Sequence, residues 1–491
     1  MGDIRAALPA AEPQGDDGER NRPALNMATR WSIPNPLAPE AATDATTLFA
    51  RLETLALLLA LFLFATGGAF LVAGMEEHAK GSATVVSASG PTGLLHSLEL
   101  AVALGISLFL VISRWRSALG LSLRMWPFTA SAVLAVLSSL WSIDPLLSLR
   151  SGLYLLLNTL LVYYLVQRYT LQGLLRLMMG LGVVVAVLSI ATAIVLPSYA
   201  LGIAGSHWAL QGAFVAKNVM GNVAVLLLTP VLFLRNIRFS VRAAYIFVFL
   251  GLIALSFSIQ AWAATLFCFG FAGAGILLRR LRNRDAVWLA YVTLLPAAMA
   301  LLILVTYRIE ILGFLGKDPT LSGRTVIWDA VLRSIAKRPV FGWGYNAFWQ
   351  GFKGESADVF LIVHFPIAQS QNGPLEVLLA LGGVGLGIVL TTFVQGFRNL
   401  LHCFRLGAAD EAAWYLLIIL LTIYYSIGEA YFQQPNSLGS MMYILACTGL
   451  FAEAQRAHAG LQVLNRGTGL ARSMPLSAPA YCDREHQQTP A

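Results

Sequence analysis

The sequence predicts an all-α polytopic membrane protein with about twelve transmembrane helices and one large extracytoplasmic loop containing short helices. Three observations carry this expectation. First, 57% of the 491 residues are hydrophobic and 12% are charged, with a mean hydropathy of +0.70; soluble domains are about 25% charged. Such a chain cannot clothe itself in polar groups, so lipid must be its solvent. Second, runs of about 20 mostly apolar residues, the length a bilayer demands, recur with centres near residues 62, 104, 134, 157, 185, 226, 249, 270, 296, 385, 419 and 444. Third, the short loops between them alternate in charge.

The alternation fixes an orientation. With the N-terminus inside, inner loops carry Arg114, Arg116 and Arg124; Arg168; Arg235, Arg238 and Arg242; Arg279, Arg280, Arg282 and Arg284; and Arg398 and Arg405. The outer short loops carry only Lys80, Arg150 and Lys217. Surplus Lys and Arg on one side mark the cytoplasmic face, so the net charge of +8 needs no nucleic acid to explain it. The organisation follows. Residues 1–47 are a polar, Pro- and Ala-rich tail with no signal-peptide pattern. Residues 48–306 hold spans one to nine, 307–373 form a large periplasmic loop, 374–452 hold the last three spans, and 453–491 are a second disordered tail. Both tails are cytoplasmic. Cys268, Cys403, Cys447 and Cys482 have neither metal-ligand spacing nor a disulfide framework.

The large loop contains "LSGRTVIWDAVLRSIAKRPVFGWGYNAFW", residues 321–349. Val326, Ile327, Ala330, Val331 and Ile335 recur at helical spacing. Ser322 is a candidate cap, and Pro339 stops the helix after Lys337 and Arg338. Arg324 then sits in the first turn, where free N–H groups and the dipole favour an anion. A guanidinium adds a bidentate fork for phosphate.

Arg150 and Lys217 also lie on the side where cations are scarce. Either these side chains snorkel to headgroups or an anionic ligand holds them. "GAFVAKNVMGN" (212–222) places Lys217 and Asn218 at a helix start, and Glu429 in "IGEAYFQQPN" is a possible counter-charge. The aromatic residues of "FGWGYNAFW", Trp343 and Tyr345 among them, suit sugar stacking or a headgroup belt. Gln369, Gln371 and Asn372 crowd the mouth of span ten, with Glu376 one turn in.

These stretches resemble the O-antigen ligase and polysaccharide polymerase superfamily, in its exopolysaccharide-production, succinoglycan-polymerase-like branch. The resemblance rests on "WSIDPLLSLR" (141–150), "GAFVAKNVMGN", "KDPTLSGRTVIW" with "RPVFGWGYNAFW" (317–349), and "QNGPLEVLLALGGVG" (371–385), and spans roughly residues 50–452. It implies a GT-C-like fold in a bacterial inner membrane and an inverting glycosyl transfer at the outer face without metal or cofactor. The substrates it implies are a polyprenyl-diphosphate-linked oligosaccharide and a growing polysaccharide, with the lipid bilayer and a chain-length regulator as further partners. Lys217, Arg324 and Arg150 would bind the diphosphate, because its developing charge needs preorganised donors. Gly323 and Trp328 carry over from the core motif. Asn218, Trp343, Tyr345 and Gln369 would line the substrate path.

One departure matters. The family has His before the Asn of its last motif; here Gln371 precedes Asn372, and Gln cannot accept a proton at neutral pH. Three readings stay open. His364 swings in as base; a carboxylate, Glu376 or Glu429, acts or diphosphate departure needs little base; or the protein is a non-catalytic member. A ligase for another acceptor and a transporter are the remaining alternatives, the latter disfavoured because charges gather at span ends rather than at mid-membrane.

Overall fold

The computed structural model describes residues 44–67, 70, 91–204, 207–278, 296–307, 323–363 and 367–473. The chain divides into two units, residues 1–47 and 48–491; apart from the first four residues of α1, the elements that follow lie in the second. They are α1 (Asp44–Ala65), α2 (Pro91–Ser113), α3 (Trp115–Arg124), α4 (Trp126–Leu137), α5 (Pro145–Arg168), α6 (Leu171–Val195) and α7 (Pro197–Ala200). A short antiparallel hairpin, β1 (Leu201–Ala204) with β2 (His207–Leu210), comes next. The rest are α8 (Lys217–Phe233), α9 (Phe239–Leu255), α10 (Ile259–Leu278), α11 (Pro296–Thr306), α12 (Gly323–Lys337), α13 (Ser356–Val363), α14 (Gly373–Arg405), α15 (Ala409–Gly428) and α16 (Leu438–Ser473).

The protein is an all-α membrane protein apart from that hairpin, but the expected twelve full spans are not present among the described residues. Seven helices are long and apolar enough to cross a bilayer, and the bent pair α3–α4 would make an eighth. Every expected centre does lie in a helix. Four of the five that fall short do so in length or by a break, and the fifth, α16, is 36 residues long but is not among the seven apolar spans. The apolar helices α8 and α9 have 17 residues each and α11 is also short, while the third candidate breaks at Met125 into two segments 101° apart. Helix α16 runs on to Ser473, beyond the expected boundary at 452.

Helix α15 is the axis of the bundle. Over its apolar window 83% of residues are buried, against 33–50% for the other candidate spans. Its sequence explains this: Trp414, Tyr415, Tyr424 and Tyr425 are apolar or aromatic on every side and fully buried, and a helix apolar all round belongs in the interior. Trp414 Nε1 donates to Thr229 Oγ1 of α8 at 3.0 Å, satisfying a donor that lipid could not.

The second organising feature is a break in α14. Gly382 has φ 65° and ψ −162°, a conformation open essentially to glycine alone. The break frees backbone groups, and the segment after α12 takes them up. Trp343 and Gly344 N–H donate to the Leu379 and Ala380 carbonyls at 2.9 and 3.0 Å; Gly383 and Val384 N–H donate to Pro339 and Val340 at 2.8 and 3.2 Å. A Cβ on Gly382 would lie 2.2 Å from the Val340 carbonyl oxygen, so the two backbones approach as only glycine permits. The stretch after α4 closes the same junction. Ile143 N–H donates to the Trp343 carbonyl at 3.2 Å, Trp141 Nε1 to Phe341 at 3.0 Å, and Arg338 to the Trp141 carbonyl at 3.3 Å. Three motifs far apart in sequence thus form one joint.

Candidate active site

The start of α12, the start of α14, the end of α15 and the first turn of α10 converge on Arg324. The α12 helix ends at Lys337, as the position of Pro339 predicts; its expected cap, Ser322, lies outside the described residues. Arg324 Nε donates to Gln371 Oε1 at 3.1 Å. Gln371 is held for this in the left-handed region, φ 52°, which non-glycine residues seldom adopt. The Arg324 guanidinium also lies 5.9 Å from the centre of the Tyr307 ring, within cation–π range.

Glu429 completes the cluster from the end of α15, where Gly428 is the last helical residue. Gln369 Nε2 donates to Glu429 Oε2 at 2.6 Å, and Gln434 Nε2 reaches Gln369 Oε1 at 3.5 Å. Burial pushes the Glu429 carboxyl above the ordinary carboxylate range, and the Arg324 charge and the Gln369 amide draw it back. A carboxylate, a guanidinium and three carboxamides therefore share one half-buried rim.

Beneath the rim a polar chain runs into the bundle. Gln260 Nε2 donates to Tyr307 Oη at 2.6 Å, and Asn222 Nδ2 to Gln260 Oε1 at 3.4 Å. Tyr307 Oη reaches the Tyr424 carbonyl at 3.4 Å. Gly428 makes room for it, since a Cβ there would sit 2.6 Å from Tyr307 Oη. Asn222 is on the face of α8 that carries Asn218 one turn earlier, because residues four apart are neighbours on a helix. Lys217 is the first residue of α8, whose N-terminus has no side-chain cap.

Several expected site residues have other work. Glu376 accepts from Trp349 Nε1 at 2.9 Å and from Ser370 N–H at 2.7 Å, so both oxygens fasten the loop to α14. Asn372 caps α14 through Leu375 N–H at 3.1 Å and reaches the Ile427 carbonyl at 3.4 Å. Trp328 and Trp343 are buried in one apolar cluster with Phe348 and Trp349; Trp343 Nε1 donates to the Ser334 carbonyl at 3.0 Å. Tyr345 is buried, donating through Oη to the Gln433 carbonyl. Arg150 is apart from the cluster among the described residues: Nε donates to Tyr154 Oη at 2.6 Å, and Nη2 reaches Ser97 at 3.4 Å. Gly323 is the first residue of α12. His364 lies outside the described residues.

Sequence reading missed Tyr307, Asn222 and Gln434. Asn222 was within reach, four residues after Asn218 on one helix face. Tyr307 was not, because it follows an apolar run and nothing in the linear order pairs it with Arg324. An open groove of about 400 Å³ lined by Trp141, Arg338, Val340 and Phe341 lies at the other end of α12 from Arg324.

Fold and site define a multi-pass helical membrane protein whose polar residues gather at helix ends around one arginine and one carboxylate. Residues 243–390, from α9 into α14, match the family described as O-antigen ligase. The chain is also similar to the exopolysaccharide production protein ExoQ of Rhizobium meliloti (strain 1021), 26% identical over 314 residues, 60% of this chain and 69% of that protein. Both similarities point the same way, to the O-antigen ligase family and to a protein of exopolysaccharide production.

Proposed function

We propose that this protein is a polysaccharide polymerase of a bacterial inner membrane, with both termini cytoplasmic and the segment 307–373 periplasmic. It transfers an oligosaccharide from a polyprenyl diphosphate carrier to a sugar hydroxyl of a growing exopolysaccharide. The observation that carries this reading is the Arg324–Gln371 and Glu429–Gln369 pairing at one rim: a cation for a diphosphate beside a carboxylate for a hydroxyl.

The chemistry follows from that pairing. Glu429 takes the proton of the acceptor hydroxyl, whose oxygen attacks the anomeric carbon as the bond to the diphosphate breaks. Attack opposite the leaving group inverts the anomeric configuration. Arg324 stabilises the charge that develops on the diphosphate, as preorganised donors do best in a site shielded from water. Lys217, at the uncapped start of α8, is a second cation for the same group. Gln369 and Gln434 offer donors and acceptors that suit vicinal sugar hydroxyls. Gln371 orients Arg324 and takes no proton, so the departure from the family's His removes the base from that position without removing it from the site.

Replacing Arg324 with Ala in the producing cell tests the proposal. Long polymer should vanish while single lipid-linked repeat units accumulate at unchanged protein level. Normal polymer from that variant would remove Arg324 from the mechanism. A ligase would instead leave polymer length intact and lose attachment to a different acceptor.

A further inference from the structure

The 101° bend between α3 and α4 turns α3 across the direction of its successor, and the ten residues of α3 sort by direction. Ala118, Leu121 and Ser122 are buried, as is Met125 after them. At 3.6 residues per turn, the remaining arc divides in two. One half holds Trp115, Leu119 and Leu123, which are 55%, 53% and 73% exposed. The other half holds Arg116, Gly120 and Arg124, and the helix contains no acidic residue.

Both ends of α3 are fixed from outside. Gln167 of α5 donates to the Ser117 carbonyl at 2.8 Å, and Gln395 of α14 donates to the Arg124 carbonyl at 2.8 Å. Arg116 and Arg124 are two turns apart, about 12 Å, with Gly120 midway in height and angle. A Cβ on Gly120 would meet nothing within 4 Å, so bare backbone lies open between two guanidinium groups. Among the described residues neither arginine forms an ion pair. The Arg116 guanidinium lies 5.5 Å from the Trp115 ring centre, at the seam between the basic and apolar halves.

We propose that α3 lies in the plane of the membrane interface and that its Arg116–Gly120–Arg124 face holds the phosphate of an anionic phospholipid. Trp115, Leu119 and Leu123 rest beside the acyl chains. Charge complementarity selects an anion, and the exposed apolar half alongside selects a lipid over a soluble anion, since helices with this division settle at the interface. The site is independent of the polymerase reading and shares no residue with it.

The test is competitive lipid retention by the full-length protein, purified in detergent, supplied with phosphatidylglycerol and phosphatidylcholine, and read by native mass spectrometry. Wild type should prefer phosphatidylglycerol. The double variant Arg116→Gln, Arg124→Gln should lose that preference by roughly 30-fold, the effect of two arginines near a charged surface, with polymer formation unchanged. Gly120→Leu keeps both charges but fills the gap and should also weaken the preference, which covers the case of an unstable double variant. An unaltered preference in both variants overturns the proposal. Displacement of the lipid by inorganic phosphate alone also overturns it, because the site would then be one for soluble anions.

Discussion

Arg324 and Glu429 act on each other through charge, and this makes their roles separable by pH. Glu429 is held above the usual carboxylate range by burial and drawn down by Arg324. A carboxyl with a raised pKa is a base only above that value, so activity should be lost as pH falls through it. The acid limb should therefore lie above the ordinary Glu pKa of about 4.3. Glu429→Gln should lower turnover about 10²–10⁴-fold and abolish that limb, measured as polymer formed by purified protein across pH. Arg324→Gln removes the neighbouring charge, so whatever activity remains should show its acid limb at higher pH than wild type. Arg324→Lys should rescue little, because an ammonium cannot supply the planar fork. At this scale the sequence was informative about chemistry and poor about partners. It marked Arg324, Glu429, Gln369 and Gln371 by their types at span ends. It could not separate Glu429 from Glu376, because only the fold shows Trp349 and Ser370 occupying both oxygens of Glu376.

Elements explain why the aromatic segment "FGWGYNAFW" exists. Sugar stacking and a headgroup belt were the uses its composition suggested; the structure adds a third, its backbone serving as a splint for the broken helix α14. Trp343 and Gly344 supply N–H groups to carbonyls stranded by the break at Gly382, and unpaired groups at such a position are costly in lipid. Substituting Gly382 with Val should therefore destabilise the protein by at least about 2 kcal/mol, since the ε conformation alone costs about 1–3 kcal/mol for other residues and the Val340 carbonyl blocks the side chain. Unfolding in detergent, followed by loss of helical signal, measures it. The reading of α12 from its apolar spacing and Pro339 was sound because both signals are local. The splint was invisible because its two strands of chain lie about 40 residues apart and share no periodic pattern.

For the whole molecule, each of the twelve hydropathy centres lies in a helix, while seven or eight helices among the described residues are long and apolar enough to span. Apolar composition reports that a segment avoids water, and α8 and α9 avoid it against protein and neighbours as well as lipid, so their 17 residues read like longer spans. What composition could not show is the rank of α15, which surrounds itself with other helices. Trp414→Ala, in its second turn and fully buried, should cost about 3–5 kcal/mol, whereas Phe247→Ala, 79% exposed on α9, should change stability by no more than about 0.5 kcal/mol. Paired unfolding curves of the two variants in one detergent compare them directly.

The central claim is that Arg324 grips a diphosphate at the rim it shares with Glu429. Its most direct measurement is binding of a polyprenyl diphosphate oligosaccharide to purified protein in lipid nanodiscs, wild type against Arg324→Ala and Glu429→Gln. The account predicts weakened binding in Arg324→Ala and retained binding without turnover in Glu429→Gln. Equal affinity of wild type and Arg324→Ala for the diphosphate ligand would contradict it.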